Sequence, residues 1–290
     1  MTHPRPILIA GPTASGKSAL ALQLAGARGG VIVNADSMQV YSELEILSAR
    51  PPASDMAEVP HRLYGHVAMR EGYSVGRFVR DAARVLDEVR LDGLVPIFVG
   101  GTGLYMKALL EGLSPIPAVP PAIREHWRAE ADRIGTAKLH AKLAEMDPGS
   151  ASRLSPTDPQ RIVRALEVMD ATGRPLWAWQ QDRGTPLLKA EETERYVVLP
   201  SRETLHQRSD GRFDQMMQRG ALGEAREIGA LDLDPSLPGM RALGLRPLLA
   251  HVRGEQALPD AIEAAKAETR QYIKRQTTWI NGNMKSWKVY

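Results

Sequence analysis

The chain has 290 residues, of which 43% are hydrophobic, 24% charged and 5% aromatic, a balance typical of a soluble globular protein with a substantial core. It contains no cysteine, which excludes disulfides and thiolate metal sites, and its seven histidines stand singly without metal-ligand spacing. The formal net charge is only +3. Binding of a polyanionic partner would therefore require a local concentration of basic residues.

The N-terminal segment reaches strand-like sequence by Ile7, which leaves no space for a secretory signal. No apolar stretch approaches the length of a membrane span. We therefore expect a cytoplasmic protein that does not associate with membranes, and nothing in the sequence demands more than a monomer.

A glycine-rich segment, Gly11–Ser18, follows the pattern G-x-x-x-x-G-K-[ST] between the apolar run Ile7–Ala10 and the helical run Ala19–Leu24. Such a loop binds phosphate because its glycines let the backbone curl, its amides point at negative oxygens, and the lysine adds charge. The hydroxyl of Ser18 suits a magnesium ion. The predicted diphosphate ligands are Gly11, Pro12, Thr13, Ala14, Ser15, Gly16, Lys17 and Ser18.

A carboxylate follows the next predicted strand, Val31–Asn34, directly. Asp36 therefore lies past the carboxyl end of a strand, in the crevice onto which a phosphate loop opens. There it could act as a general base or hold magnesium through water. The alternative is a structural aspartate that caps the following turn.

Further strands and helices alternate along the chain. The helical pattern Phe78–Arg90 precedes a strand at Ile97–Val99, and another strand is predicted at Tyr196–Leu199. This alternation predicts an α/β protein of the phosphate-loop NTPase-like class, with a parallel sheet flanked by helices. Thr102 lies in the glycine-rich turn after the strand at Ile97–Val99, at the same sheet edge; the alternative is a simple tight connection.

The region 115–184 opens with a proline-rich hinge and shows helical periodicity without a convincing strand. We predict a helical insertion at 115–184 within a catalytic core formed by 1–114 and 185–290. Inside it, Asp158 and Pro159 predict the start of a helix that ends near Gly173. Gln160, Arg161 and Arg164 fall away from its apolar stripe, which indicates either a binding face or an ordinary solvated face.

The last long helix is predicted at Ala261–Ile280. It places Lys266, Arg270 and Lys274 four residues apart on one face. From Lys266 to the end the basic residues outnumber a single acidic one, so we predict a surface for a phosphate backbone.

Taken together, these segments resemble the tRNA dimethylallyltransferase family over nearly the whole chain. The resemblance rests on six ordered blocks: Gly11–Ser18, Asn34–Tyr41, Val99–Tyr105, Asp158–Val168, Arg208 with Arg212–Met216, and Thr269–Trp279. It implies transfer of a dimethylallyl group from dimethylallyl diphosphate to N6 of adenosine 37, beside the anticodon, in tRNAs that read codons beginning with U. The products are N6-isopentenyladenosine and diphosphate.

The resemblance also assigns roles to residues. It implies that Asp36 is the general base, that Thr102 and Lys17 share in catalysis, and that Arg212 joins the phosphate loop around the diphosphate and Mg²⁺, with Ser18 as the metal ligand. The insertion would embrace the anticodon stem-loop. The implied tRNA contacts are Asp36, Ser37, Met38, Gln39, Thr102, Arg124, Gln160, Arg161, Ile162, Val163 and Arg164, to which the basic residues Lys266, Arg270 and Lys274 are added.

The sequence departs from the family at Ser42–Pro51, where the usual run is Arg-Gly-Leu-Asp-Ile-Gly-Thr-Ala-Lys-Pro. Glu45 and Arg50 keep the signs of the usual charges, but Leu47 replaces a glycine. Because glycine alone adopts positive φ freely, we expect an altered loop geometry here.

Three other functions remain open at this point. A small-molecule kinase would use the same loop for ATP, although no arginine-rich lid follows. An enzyme that prenylates free adenine nucleotides would need no inserted helices or basic tail. An RNA-binding regulator with a degenerate loop is disfavoured by the intact Lys17, Ser18 and Asp36.

Overall fold

The computed structural model describes residues 4–182 and 184–290. The chain divides into two compact units. The first contains the residues up to Leu110 together with Leu187–Tyr290, and the second is Glu111–Pro186. The strands are β1 Ile7–Ala10, β2 Gly30–Asn34, β3 His61–Arg62, β4 Val95–Gly100, β5 Glu194–Val197 and β6 Lys288–Val289. The α-helices are α1 Lys17–Arg28, α2 Ala53–Glu58, α3 Val75–Leu91, α4 Gly103–Glu111, α5 Pro121–Ile134, α6 Thr136–Met146, α7 Pro148–Ala151, α8 Pro159–Thr172, α9 Leu176–Trp179, α10 Arg202–Gln218, α11 Ala221–Ala230, α12 Leu245–Val252 and α13 Leu258–Asn283.

The six strands of the described residues form one parallel sheet in the order β3-β2-β4-β1-β5-β6. The central strand β1 is buried along its whole length, because helices cover both faces of a parallel sheet and its strands are therefore apolar throughout. The predicted α/β fold class is confirmed. Since the strands run in one direction, the segments that follow β1, β2 and β4 meet at one edge of the sheet.

The apolar patterns locate the central strands better than the edges. The predictions Val31–Asn34 and Ile97–Val99 fall inside β2 and β4, whereas β5 begins two residues before the predicted Tyr196. Its first residues are Glu194 and Arg195, whose register opposite Ile7 and Leu8 is set by pairing rather than by hydrophobicity. The edge strands β3 and β6 are two residues each and polar enough to escape a search for apolar runs.

Within the second unit, α5, α6 and α8 pack around a core that includes Trp127, Leu139 and Ile162. The predicted start of α8 is confirmed: the Asp158 side chain accepts a hydrogen bond from the Arg161 amide, with Pro159 as the first helical residue. The helix ends at Gly173, whose positive φ of 66° closes the last turn. The predicted insertion at 115–184 lies inside this unit.

A buried carboxylate makes the second unit sensitive to acid. Glu130 accepts two hydrogen bonds from Arg133, at 2.8 and 2.9 Å, and one from Lys142 at 2.7 Å. Arg133 first, and then Lys142, lower the pKa of Glu130 from 4.5 to about 2. A carboxyl pKa lowered by folding stabilises the protein above its unfolded-state value, and this contribution is lost as the pH falls toward the folded-state value.

We therefore expect Glu130→Gln to lower the melting temperature at pH 7, and the difference from the wild type to shrink between pH 4.5 and pH 2. Thermal unfolding followed by circular dichroism at a series of pH values measures it. Glu125→Gln, at an exposed position of the same helix, is the control. A constant difference across this pH range would contradict the ion-pair explanation.

Among the described residues, no helix has both the length and the apolar character needed to cross a bilayer.

Candidate active site

The phosphate loop links β1 to α1 through two residues with positive φ, Ala14 at 61° and Gly16 at 97°. The Ser15 amide donates to the Pro12 carbonyl at 3.2 Å, which closes the turn, and Gly16 then begins α1. A side chain at Gly11 would come within 2.7 Å of the Val198 carbonyl oxygen. The glycines thus permit both the curl of the loop and its close contact with the segment after β5.

Two partly buried cations line a cleft beside this loop, and the cleft has a volume of about 520 Å³. Arg212 of α10 donates to the Thr13 hydroxyl, and Lys17 donates to the Pro12 carbonyl at 3.3 Å. Burial lowers the pKa of Lys17 from 10.5 to about 8 and lowers the pKa of Arg212, while nearby Asp36 opposes both changes. Neither Lys17 nor Arg212 forms a salt bridge with a carboxylate among the described residues, so the cleft favours an anionic ligand.

Asp36 is held past the end of β2 by a fully buried asparagine. The Asn34 side chain accepts from the Asp36 amide at 2.8 Å and donates to the Asp36 carbonyl at 2.9 Å and the Leu63 carbonyl at 3.0 Å. The Asp36 Oδ1 atom accepts from the Met38 amide at 2.9 Å. Oδ2 receives no hydrogen bond from the described part of the chain, and it faces the glycine turn after β4 at Gly101.

Thr102 connects that glycine turn to the segment after β2. Its hydroxyl accepts from the Ser37 amide at 3.0 Å and donates to the Ser37 hydroxyl at 3.3 Å. Thr102 therefore binds the residue that follows Asp36 and does more than close a strand-to-helix turn. The structure thus brings together Lys17, Asp36 and Thr102, which the sequence placed at one sheet edge.

Gln276, a buried residue of α13, also belongs to this site, although no sequence pattern assigned it a role. Its side-chain oxygen accepts from the Thr13 amide at 2.9 Å, and its nitrogen donates to the Gly101 carbonyl at 2.9 Å. It therefore ties the phosphate loop to the turn that faces Asp36. The sequence did carry a signal for Gln276, which is a polar residue on the apolar face of a long helix. A buried side-chain amide needs hydrogen-bond partners, so such a residue indicates a specific contact.

Comparison with known proteins gives the same family along most of the chain. The IPP transferase family model matches residues 39–283, and the isopentenyl transferase model matches residues 5–72. The tRNA dimethylallyltransferase of Mesorhizobium japonicum is 55% identical over 94% of this chain and 85% of its own length. That of a Bradyrhizobium species is 54% identical over 94% of this chain and 89% of its own length.

The chain belongs to the IPP transferase family of tRNA dimethylallyltransferases. Solved structures agree. The tRNA isopentenylpyrophosphate transferase of Bacillus halodurans superposes with a TM-score of 0.69 at 30% identity, covering 99% of this chain and 89% of that one. A eukaryotic dimethylallyltransferase described as acting on tRNA gives a TM-score of 0.81 at 29% identity, covering 96% of this chain and 70% of that one.

The loop Ser42–Pro51 departs from the usual family sequence, and its backbone does not require a glycine at position 47. Leu47 is buried, and its φ is not positive; the positive φ of 53° falls on Ala49 instead. Leu47 itself therefore has a backbone conformation that any residue can adopt, and the altered geometry of the loop relative to the family stays a prediction. Gln39 anchors this loop by donating to the Ser48 and Ala49 carbonyls at 3.0 and 2.8 Å.

The α8 residues predicted to contact tRNA differ in their exposure to solvent. Ile162 is fully buried, and its side chain packs in the core of the second unit. Its prediction as a tRNA contact is therefore corrected. Arg161 is exposed beside Asp158, and Arg164 forms an ion pair with the buried Glu167 at 3.4 Å. Of the other predicted tRNA contacts in this unit, Arg124 and Gln160 are exposed and Val163 is partly buried.

The three basic residues of α13 do not form a uniformly free face. The Lys266 side chain is only 13% exposed and pairs with Asp214 at 2.8 Å, and Arg270 pairs with Asp210 at 2.7 Å. Both partners lie on α10, so these ion pairs fasten the two helices together. Lys274 is exposed and is the one of the three that most readily meets an external anion.

Proposed function

We propose that this family member transfers a dimethylallyl group from dimethylallyl diphosphate to N6 of adenosine 37 of tRNAs that read codons beginning with U, yielding N6-isopentenyladenosine and diphosphate. One observation carries the proposal: two partly buried cations, Lys17 and Arg212, line a pocket, and the carboxylate of Asp36 lies near enough for its charge to act on both. A leaving diphosphate and a base that removes a proton need this pairing of opposite charges.

The acceptor amine requires a base because its lone pair is delocalised into the adenine ring. Asp36 supplies an oxygen, Oδ2, to take the proton as the nitrogen attacks the allylic carbon. The Asn34 bonds and the Met38 amide fix the orientation of this carboxylate. Thr102 holds the adjoining Ser37 segment, which would border the adenine.

The leaving group gathers negative charge as the bond to the allylic carbon breaks. The loop amides, Lys17 and Arg212 are positioned before the reaction to stabilise this charge, with Thr13 bound both to Arg212 and to Gln276. Their partial burial makes the stabilisation stronger than it would be in water.

Mg²⁺ is the proposed cofactor, and the residues present fit it. Magnesium typically keeps several waters and binds one or two protein oxygens plus substrate phosphates. The exposed Ser18 at the start of α1 supplies such an oxygen beside the cleft, and the described residues contain no cluster of three or more acidic or histidine side chains that would form a cage. A bound magnesium would add positive charge next to the diphosphate.

Adenosine 37 must leave the stacked anticodon loop to enter the site. This unstacking costs roughly a few kcal/mol, which protein contacts to the RNA backbone offset. We propose Arg124, Gln160, Arg161, Val163, Arg164 and Lys274 for these contacts with the anticodon stem-loop. Because the acceptor is tRNA and one chain supplies the whole diphosphate site, we also propose a cytoplasmic monomer.

Incubation with radiolabelled dimethylallyl diphosphate and unmodified tRNA tests the function. We expect label in tRNA, none in free adenosine monophosphate, and no consumption of ATP with tRNA or a hydroxyl acceptor. Label in the free nucleotide but not in tRNA would instead show a nucleotide prenyltransferase, and ATP-dependent phosphoryl transfer would show a kinase.

A substitution in α8 tests the tRNA-binding role of the insertion. We expect Arg164→Ala to weaken binding of the anticodon stem-loop about five- to tenfold, because one phosphate contact is lost, while affinity for the prenyl diphosphate is unchanged. Filter binding and titration calorimetry measure the two affinities. Glu167→Gln removes the same ion pair but keeps the arginine; if it weakens RNA binding equally, Arg164 acts only through helix structure.

A further inference from the structure

A cavity of about 310 Å³ lies away from the phosphate loop, between the start of α10 and the C-terminal half of α13. Its lining comes from the segment after β5, from the first turns of α10 and from the stretch 273–278 of α13. It shares no lining residue with the phosphate-loop cleft, so this α10–α13 cavity is a separate space. Its volume is sufficient for a small organic molecule.

The apolar part of the lining is aliphatic and rigid. Leu205 of α10 and Ile273 of α13 are each 1% exposed, and Leu199 adds to the apolar surface. The two helices are joined by the ion pair of Arg270 with Asp210 at 2.7 Å. Because buried side chains on two fastened helices form these walls, the cavity is preformed, and a ligand need not order the protein to bind there.

Positive charge prevails among the polar residues of the lining. Arg202 and Lys274 are exposed, and neither side chain forms a salt bridge within the described residues. His206 adds an imidazole, and no carboxylate of the described residues lines the cavity, since the exposed Glu203 lies outside the lining. The helix α10 begins here after Ser201, and its N-terminal end carries partial positive charge. The cavity therefore favours an anion.

One polar atom of the lining lacks a hydrogen-bond partner. The Oγ1 atom of Thr277 is shielded from solvent and forms no hydrogen bond within the described part of the chain. Elsewhere on the same helix, Thr269 Oγ1 donates to the Ala265 carbonyl at 3.0 Å, as helical threonines often do. A buried hydroxyl without a partner costs free energy, which a polar atom of a ligand would recover.

The three features together select an amphipathic ligand. An anionic group would pair with Arg202 and Lys274, and the Thr277 hydroxyl would donate to one of its oxygens. An aliphatic body would remove the surface of Leu205 and Ile273 from water. A nucleobase suits the cavity less well, because its lining contains no phenylalanine, tyrosine or tryptophan on which a base could stack.

We propose that the α10–α13 cavity binds a small organic anion with an aliphatic body, and that its occupation weakens tRNA binding. Lys274 is the link between the two, since it lines the cavity and is also a proposed tRNA contact. An anion paired with Lys274 withdraws that charge from an RNA phosphate. The weakening of tRNA binding rests on the proposed function, whereas the binding of the anion does not.

Ligand-observed NMR titration of the whole protein with hexanoate, hexanol and acetate tests the chemistry of the ligand. We expect hexanoate to bind about tenfold more tightly than either other compound, because only hexanoate carries both the charge and the aliphatic body. Equal affinity for hexanoate and acetate would overturn the proposal. Adenosine monophosphate is the fourth ligand, and if it binds more tightly than hexanoate through Arg202, the cavity is a nucleotide site instead.

Two substitutions test whether hexanoate binds in this cavity. We expect Arg202→Ala to raise the Kd for hexanoate about fivefold and Thr277→Val about threefold, since each removes one contact to the anion. Thr277→Val should not lower the melting temperature, because the hydroxyl has no partner to lose. Arg226→Ala, at an exposed arginine of α11, is the matched control and should leave the Kd unchanged. An unchanged Kd in both cavity variants would overturn the site.

Filter binding of the anticodon stem-loop tests the link to RNA. Saturating hexanoate should raise the Kd for the stem-loop about threefold, and acetate at the same concentration should not. In Lys274→Gln, hexanoate should cause no further loss. If hexanoate binds in the cavity without changing RNA affinity, the proposed weakening is wrong. If it binds as expected but the protein does not prenylate tRNA, the proposed function fails and the cavity assignment stands.

Discussion

Replacing Asp36 by asparagine should reduce prenyl transfer about 10²- to 10⁴-fold while leaving tRNA binding within about twofold of the wild type. Asparagine keeps the shape of the side chain and the oxygen that accepts the Met38 amide, so the loop should hold its conformation. It cannot take a proton from the adenine amine. The loss should therefore appear in the rate of the chemical step and not in the affinity for RNA.

Single-turnover transfer of label, together with filter binding of the stem-loop, separates these effects. Asp92→Asn, at the exposed C-terminal end of α3, removes the same charge far from the site and should leave both quantities unchanged. Equal losses of binding and turnover in Asp36→Asn would indicate that Asp36 organises the loop for RNA instead of acting as the base.

Replacing Lys17 by methionine should abolish most donor binding and slow transfer about 10²- to 10³-fold, since a group aimed at the leaving diphosphate is removed. The same change should stabilise the free protein. Desolvation lowers the pKa of the partly buried Lys17 to about 8, so its charge opposes folding at neutral pH by on the order of a few kcal/mol. Pyrophosphate titration and thermal unfolding measure the two effects.

The sign of the pH dependence follows from the same burial. Because the folded-state pKa of Lys17 lies below its unfolded value of 10.5, the folded protein releases a proton first and gains stability as the pH rises from about 8 to 10.5. Donor affinity should fall over the same range, because the free site loses its charge. Lys138→Met, at an exposed lysine, should show neither effect. Wild-type affinity for pyrophosphate in Lys17→Met would contradict the assignment.

The site shows which residues a sequence can reveal. The phosphate loop and Asp36 were recognisable because each is a short pattern placed directly after an apolar strand, and parallel strands bring their carboxyl ends to one edge. The partners of Gln276 could not be read from the sequence, because Thr13 and Gly101 lie far from it along the chain. Only its polar character on an apolar helix face was visible. The free basic face of α13 was predicted from helical spacing alone, which takes no account of the acidic residues on α10.

The sequence by itself determined the phosphate-binding loop, the parallel α/β sheet and the base candidate at its edge, since local periodicity and chain order are sufficient for these. Only the tertiary structure decided that desolvation lowers the pKa of Lys17, that Arg212 reaches Thr13, and that Glu224 holds the loop that carries Arg50. Gln276 bonds a residue 263 positions away. Such pairings depend on which distant surfaces pack together, and burial and charge follow from that packing rather than from any local pattern.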